Sequence, residues 1–339
     1  MIYEIKNYSY TINHNINCGI SAIIYSLLTE GISVSETDVA FFSNYVSFGF
    51  WPVMESNGTN KTYLSPISLD FFDQFSKRTN LGLKHYNIQD DEEDFNIIVD
   101  AIKNNHCVNV LCDQYYIGCA ISEAVRRFFS PDENRMPCHY ITIHGVDTEN
   151  RKVLFTEPIF NMESPDHWIT YEELNKARSV EWRNLSVNRD LFIFDDVSNF
   201  SPLDNKTVLR DQLELLINKI PDSLAQINSF LEKYVSADAP QEYIDELIND
   251  LHLCLCCFDL SKNFYRRYLY KFILRYFGNC EITMKYKSLY KSWHKVAQLS
   301  DKVFESTNKA YGDYIKIIDL IIENAENELR LNRSALSLL

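Results

Sequence analysis

The sequence contains no apolar run close to the roughly 18 residues that a membrane-spanning helix requires. It begins MIYEIKNY, without the basic and apolar regions of a secretory signal. The nine cysteines are odd in number and irregularly spaced, which is typical of reduced thiols rather than of a disulfide framework. Basic residues are also scarce, and a net charge of −14 argues against nucleic acid as a partner. We therefore expect a soluble, cytoplasmic protein.

Glycine and proline are rare and unevenly distributed. Seven of the nine glycines precede residue 146, and no proline follows Pro240. Residues 1–200 carry a net charge of −13 and combine predicted helices with later strands. In residues 201–339, apolar residues recur about every 3.6 positions, which is the period of an α-helix. We predict an α+β domain over residues 1–200 and an all-α domain over residues 201–339. The aromatic-rich residues 41–66 have no clean period, and we interpret them as an irregular loop near a substrate cleft.

Residues 13–30 contain a cysteine where a helix should begin. The apolar residues of this stretch share one helical face: Ile20, Ile23, Ile24, Leu27 and Leu28. Asn17 is a suitable N-cap and Gly31 a suitable stop. Cys18 then lies in the first turn, where free N–H groups and the helix dipole favour the nucleophilic thiolate. The alternative is a small buried cysteine that only packs.

A predicted hairpin supplies a base and an acid for this cysteine. Residues 140–146 and 151–157 alternate with period two around a turn at residues 147–150. His139 and Glu157 therefore lie side by side at the open end. We predict Cys18 as nucleophile, His139 as general base and Glu157 as the acid that orients it. His144 lies on the opposite strand face, and we interpret it as a packed or hydrogen-bonded histidine.

Four segments together resemble a known family. They are Cys18-Gly19 opening an amphipathic helix, VNVLCDQYY from Val108, HYITIHGVD from His139 and VLFTEP from Val153. They are similar to the butirosin-biosynthesis acyltransferase family, of the type named butirosin biosynthesis protein H, and more distantly to the papain-like peptidases that trim bacteriocin leaders. The resemblance covers about residues 10–200.

The resemblance implies a papain-like cysteine fold and a reaction of natural-product biosynthesis, with a nonribosomal peptide or an aminoglycoside-like compound as product. An acyl or aminoacyl group would pass from the phosphopantetheine thioester of an acyl or peptidyl carrier protein to an amine, with no other cofactor. Carried over, Cys18 is the nucleophile, His139 the base and Glu157 the acid, where the family more often has Asp-Pro. The oxyanion would rest on the Cys18 N–H and on Asn13 or Asn15, since the usual upstream Gln is absent. A missing oxyanion donor costs about 3–4 kcal/mol.

Asp113, Tyr115 and Tyr116 follow a predicted core strand. They either line the acceptor site, with Asp113 holding a small cationic amine, or form a structural network at the strand end. The sequence leaves both interpretations open.

The C-terminal domain contains a basic segment and a cysteine cluster. Residues 262–295 hold nine basic residues and one acid, Glu281, interleaved with aromatic residues. This pattern favours docking of an acidic carrier protein over nucleic acid, and a plain solvated face is equally open. Cys254, Cys256 and Cys257 point to different helix faces, so we predict no metal site there.

Two other functions are open from the sequence. The enzymatic alternative is a papain-like cysteine peptidase or amidase that needs no carrier protein. The other is a non-catalytic, carrier-binding scaffold that keeps the fold without the chemistry.

Overall fold

The computed structural model describes residues 1–10, 18–44, 46–54, 60–67, 70–113, 115–117, 139–156, 166–179, 189–252, 264–306 and 309–339. The strands in these ranges are β1 (Ile2–Glu4), β2 (Val46–Met54), β3 (Asn60–Ile67), β4 (Gly82–Asn87), β5 (Val108–Cys112), β6 (His139–Asp147), β7 (Lys152–Thr156), β8 (Asp166–Thr170) and β9 (Asp190–Asp196). The helices are α1 (Cys18–Thr29), α2 (Glu36–Phe42), α3 (Phe71–Thr79), α4 (Asp91–Lys103), α5 (Tyr171–Arg178), α6 (Asn205–Tyr234), α7 (Gln241–His252), α8 (Phe264–Phe277), α9 (Glu281–Phe304) and α10 (Tyr311–Leu336).

The chain divides into two compact units that are discontinuous in sequence. The first comprises Met1–Val39 and Phe75–Ser201, and the second comprises Ala40–Gln74 and Pro202–Leu339. The predicted domains were contiguous, with one boundary near residue 200. Residues 40–74 instead group with the C-terminal helices, so the second unit contains a β-hairpin as well as helices.

The hairpin of β2 and β3 corrects the interpretation of residues 41–66 as an irregular loop. Trp51 pairs with Tyr63, and the register shifts between Val46 and Gly49. A β-bulge inserts an extra residue and so interrupts the two-residue period by which a strand is recognised in sequence. Proline inside a strand, as at position 52, also weakens the sequence signal.

The first unit is built on one antiparallel sheet with the order β4–β9–β5–β6–β7–β8. Strand β6 has β7 along one edge, and along the other it pairs first with β5 and then with β1. Every strand pair of this sheet is antiparallel. The predicted α+β class is confirmed by this sheet and its helices.

Helices α1 and α4 pack against opposite faces of the sheet. Asn109 of β5 donates to the Ser26 hydroxyl of α1 at 2.8 Å, which places α1 on the face that bears Asn109. The alternate residue Val110 belongs to an apolar core that includes Ile98 of α4 and Ile141 of β6. Alternation along the strands therefore separates a polar-lined face under α1 from an apolar face under α4.

A buried ion pair joins α4 to α5. Arg178 and Asp94 both have side chains 0% exposed, and two guanidinium N–H groups donate to the carboxylate at 2.8 and 3.0 Å. The Tyr171 hydroxyl donates to the same carboxylate at 2.7 Å. Such a pair stabilises the contact between the helices only when both partners are present, because an unpaired ion buried away from water is strongly destabilising.

The second unit has its own buried ion pair. Arg266 of α8 donates to Glu328 of α10 at 2.8 and 3.0 Å, and both side chains are at most 2% exposed. Trp293 donates to the same carboxylate at 3.1 Å. One cation of the basic segment is therefore internal, and the aromatic residues Tyr268 and Tyr286 are buried as well.

Gly145 lies in β6 between two neighbouring strands. A Cβ at this position would come within 3.0 Å of Leu154 Cβ and 3.2 Å of Glu4 Cγ. We expect Gly145→Val to lower the free energy of unfolding by about 1–3 kcal/mol, since the neighbours must move to admit the side chain. Urea denaturation measures this difference.

The matched control for that substitution is Gly312, near the start of α10. A Cβ there meets nothing within 4 Å, and we expect Gly312→Ala to raise the free energy of unfolding by about 0.5–1 kcal/mol. Equal effects at the two glycines would contradict the packing described for Gly145.

Candidate active site

Helix α1 places Cys18 at its first position. Its apolar residues Ile20, Ile23 and Leu27 are fully buried, as their spacing predicts. Gly31 ends the helix with a φ of 81°, a conformation that glycine adopts without strain. The Cys18 side chain is itself buried, with 4% of the residue exposed. The predicted N-cap Asn17 and the predicted oxyanion residues Asn13 and Asn15 lie outside the described residues.

Three contacts fix the direction of α1 along the sheet. Ser26 is bonded to Asn109, Thr29 accepts from the Cys107 thiol at 3.6 Å, and Glu30 pairs with His106 at 2.9 Å. The C-terminal half of α1 thus lies beside the beginning of β5. Because the helix runs antiparallel to β5, its first residue points toward the end of β5 and the beginning of β6.

His139 is the first residue of β6 and is fully buried. Its Cα pairs with that of Cys112, the last residue of β5, and the Cys112 thiol donates to the His139 carbonyl at 3.2 Å. In the strand pleat, His139 shares its parity with Ile141 and Ile143. The start of α1 and His139 thus lie at the same end of the sheet, but alternation places the His139 side chain on the face of Ile141 and α4, opposite the face under α1. A contact between Cys18 and His139 stays a prediction.

Glu157 lies outside the described residues, so its pairing with His139 stays a prediction. The hairpin register that suggested this pairing needs correction. A bulge between Ile143 and Gly145 shifts the register, and the last described pair is Thr142 with Thr156. The predicted pairing rests on an uninterrupted hairpin, whereas the bulge displaces the partners by one residue.

Asp113 anchors a turn at the end of β5. Its backbone N–H donates to Ala177 O of α5 at 2.8 Å, and its carboxylate accepts from the Tyr115 N–H at 2.9 Å. The rings of Tyr115 and Tyr116 meet edge to face at 5.0 Å, and Lys176 Nζ lies 4.7 Å from the Tyr116 ring centre. These contacts support the structural interpretation of the three residues, and their role toward an acceptor stays a prediction.

A second polar cluster, which the sequence analysis did not recognise, surrounds His144. Its Nε2 lies 3.3 Å from Asp166 Oδ1, the same oxygen that accepts from the Thr156 hydroxyl at 2.7 Å. The Tyr8 ring stacks on the imidazole at 3.8 Å with an interplanar angle of 3°. Strand β8, which begins at Asp166, was also missed. Its sequence, DHWIT, has two polar residues followed by two apolar ones, so the two-residue period that predicts a strand is absent.

The electrostatics differ sharply among the titratable groups. Burial raises the pKa of the Cys107 thiol to about 12, so this cysteine is a packed, inert thiol. Hydrogen bonding to Thr283 lowers the pKa of Cys280, a partly exposed thiol next to α9. Burial opposes ionisation of Asp166, but hydrogen bonds from His144 and Thr156 hold its pKa below the ordinary value.

Metal binding and membrane crossing have no support in the described residues. Within those ranges, no group of three His, Cys, Asp or Glu side chains could hold a metal ion. Residues 254–257, with their three cysteines, lie outside them. Among the helices of the described ranges, none has both the length and the apolar character needed to cross a bilayer.

Comparison with known proteins finds structural similarity but no match in sequence. No family model matches the chain, and no curated protein matches it in sequence. A crystal structure described as a "putative C39-like peptidase from Bacillus anthracis" is similar with a TM-score of 0.36 and 13% identity, over 58% of this chain and 98% of that chain. The butirosin-type family receives no support from these comparisons.

Proposed function

We propose that the first unit is a papain-like cysteine acyltransferase that moves an acyl group from a carrier-protein thioester to an amine. The observation that carries this proposal is the position of Cys18. It is the first residue of a helix that begins at the sheet end where His139 begins β6. A cysteine in this position can serve as a nucleophile when a base lies within reach.

The reaction has two displacements at one carbonyl carbon. The Cys18 thiolate attacks the thioester carbon, and the new C–S bond forms as the pantetheine thiolate leaves, taking a proton from the His139 imidazolium. The amine then attacks the acyl-enzyme, His139 accepts its proton, and Cys18 departs as thiolate while the amide forms. Glu157 orients the imidazole. The Cys18 N–H, with Asn13 or Asn15, stabilises the oxyanion.

The charge of the chain supports a cationic acceptor. Residues 1–200 carry a net charge of −13, and such a field raises the local concentration of cations. Asp113, Tyr115 and Tyr116 lie at the end of β5, the sheet end toward which α1 directs Cys18. An amine can therefore meet the acyl-enzyme from this side.

A lysine stripe on α9 supports docking of an acidic carrier protein. Lys287, Lys291 and Lys295 are exposed and four residues apart, and within the described part of the chain none of them is in a salt bridge. Like charges at this spacing destabilise a helix slightly, so a binding role would explain them. The aromatic side chains Tyr286 and Trp293 are buried. They are thus not exposed to stack on bases, which favours an acidic protein over nucleic acid.

Intact-mass spectrometry tests the reaction directly. The full chain is incubated with an acetyl-loaded carrier protein, and we expect one acyl adduct that maps to Cys18 and disappears when a primary amine is added. Cleavage of peptides without a carrier would instead indicate a peptidase or amidase. Absence of both adduct and cleavage would indicate a scaffold, and either result overturns the proposal.

A further inference from the structure

We propose that Tyr8, Tyr10 and Asp166 form a binding site for an alkylammonium group. With His144 and Thr156, they make up what we call the Asp166 site. The inference rests on the proposed function for the role of the ligand, which is a second, non-reacting ammonium of a polyamine acceptor. The binding itself can be measured without any reaction.

Only one of the two carboxylate oxygens of Asp166 contacts described side chains. Its Oδ1 accepts from Thr156 and faces His144 Nε2. Its Oδ2 has no hydrogen bond to any described residue, and the side chain is 33% exposed, compared with 6% for His144. One carboxylate oxygen is therefore available to a ligand, while the other is fixed by buried partners.

Two phenol rings follow the imidazole that faces this carboxylate. Tyr8 is held by its stacking on His144, and Tyr10 lies 5.7 Å from Tyr8 between ring centres, tilted by 41°. Tyr10 also meets Tyr25 of α1 edge to face at 6.1 Å. Burial is the main cause that raises the pKa of both Tyr8 and Tyr10, and the negative charge of Asp166 contributes to each.

A carboxylate oxygen next to aromatic rings is the chemistry that recognises an ammonium. The N–H groups donate to the carboxylate in charge-assisted hydrogen bonds, and the cation gains cation–π energy from a ring. Among the described residues, no lysine or arginine forms an ion pair with Asp166. The cation is therefore expected from the ligand.

The sheet register explains why this ammonium is not the reacting one. Asp166 pairs with Thr156, and Thr156 pairs with Thr142, in one row across three strands. Thr142 is three residues from His139, or about 10 Å along the strand, and this odd separation places the two side chains on opposite faces of the sheet. An ammonium bound at Asp166 is therefore separated from an amine that reacts at His139.

Binding of n-butylammonium to the full chain tests the site, with 1-butanol as the uncharged isostere. By calorimetry or NMR titration we expect saturable binding of the cation and none of the alcohol at the same concentration. Asp166→Asn keeps an acceptor for Thr156 but removes the charge, and we expect it to weaken binding at least tenfold. Tyr10→Leu should weaken it several-fold, and this variant serves if Asp166→Asn does not fold.

Two controls separate this site from the proposed reaction. Asp100→Asn removes one charge from the exposed side of α4 and should leave binding unchanged. Cys18→Ala should also leave it unchanged, so loss of acyl transfer and loss of ammonium binding are distinguishable. Equal binding of butanol, or undiminished binding by Asp166→Asn and Tyr10→Leu, would overturn the inference.

Discussion

Replacing Cys18 with alanine is expected to abolish acyl transfer, with a loss of roughly 10³–10⁶-fold in kcat/KM, because it removes the sulfur on which the proposed acyl-enzyme forms. The fold should persist, since a small buried side chain is exchanged for a smaller one at the start of α1. The measurement is amide formation from a loaded carrier and a diamine, followed by mass spectrometry, with thermal unfolding recorded in parallel.

Cys280→Ala is the matched control for this substitution. Cys280 is partly exposed and its pKa is lowered through Thr283, so it is a thiol that thioesters can acylate without catalysis. We expect this variant to retain full activity. Retained activity in Cys18→Ala, or equal losses in the two variants, would rule out the assignment of Cys18 as the nucleophile.

Asp94→Ala is expected to lower the free energy of unfolding of the first unit by about 3–5 kcal/mol, because it leaves the Arg178 guanidinium buried without its counter-ion. The Tyr171 hydroxyl loses its acceptor in the same variant. Chemical denaturation followed by circular dichroism measures the change.

Glu92→Ala provides the comparison on the same helix. Glu92 also forms a two-pronged ion pair, with Arg151 at 2.7 and 2.9 Å, but its side chain is 72% exposed. Exposed pairs contribute at most about 1 kcal/mol. A small loss for Asp94→Ala, similar to that for Glu92→Ala, would mean that water reaches the buried pair.

Local patterns in the sequence were sufficient to predict α1, β5 and the β6–β7 hairpin. Each is defined by neighbours close in the chain, such as the apolar face of Ile20, Ile23 and Leu27. The second unit was predicted less well, because β2 and β3 contain a bulge and a proline. Their assignment to the C-terminal helices depends on contacts between residues far apart in sequence, such as the bond from Gln212 to Val46 O.

The Asp166 site could not be predicted from a single sequence. His144 was interpreted as a packed or hydrogen-bonded histidine, but its partner was not identified, because Asp166 belongs to a short strand whose pairing with β7 is visible only in the fold. The bulge at Ile143–Gly145 shifts the hairpin register, and the isolated Gly145 within the strand pattern was the local signal for it. Arg266 was counted as part of a basic surface, although its partner Glu328 lies 62 residues later.

Strand β9 lies between β4 and β5 although it is the last strand of its sheet in sequence. During synthesis, more than a hundred residues follow β4 before its pairing strand β9 is made. Pairing between strands so far apart in sequence slows folding. The segment Ala40–Gln74 is separated from its packing partners by a longer stretch of chain, because β2 and β3 pack on α6, α7 and α8. A fragment cut after Ser201 would therefore keep the hairpin but lose its helices, and would expose it to aggregation. Dissection of this protein should respect the two interleaved units rather than a single cut near residue 200.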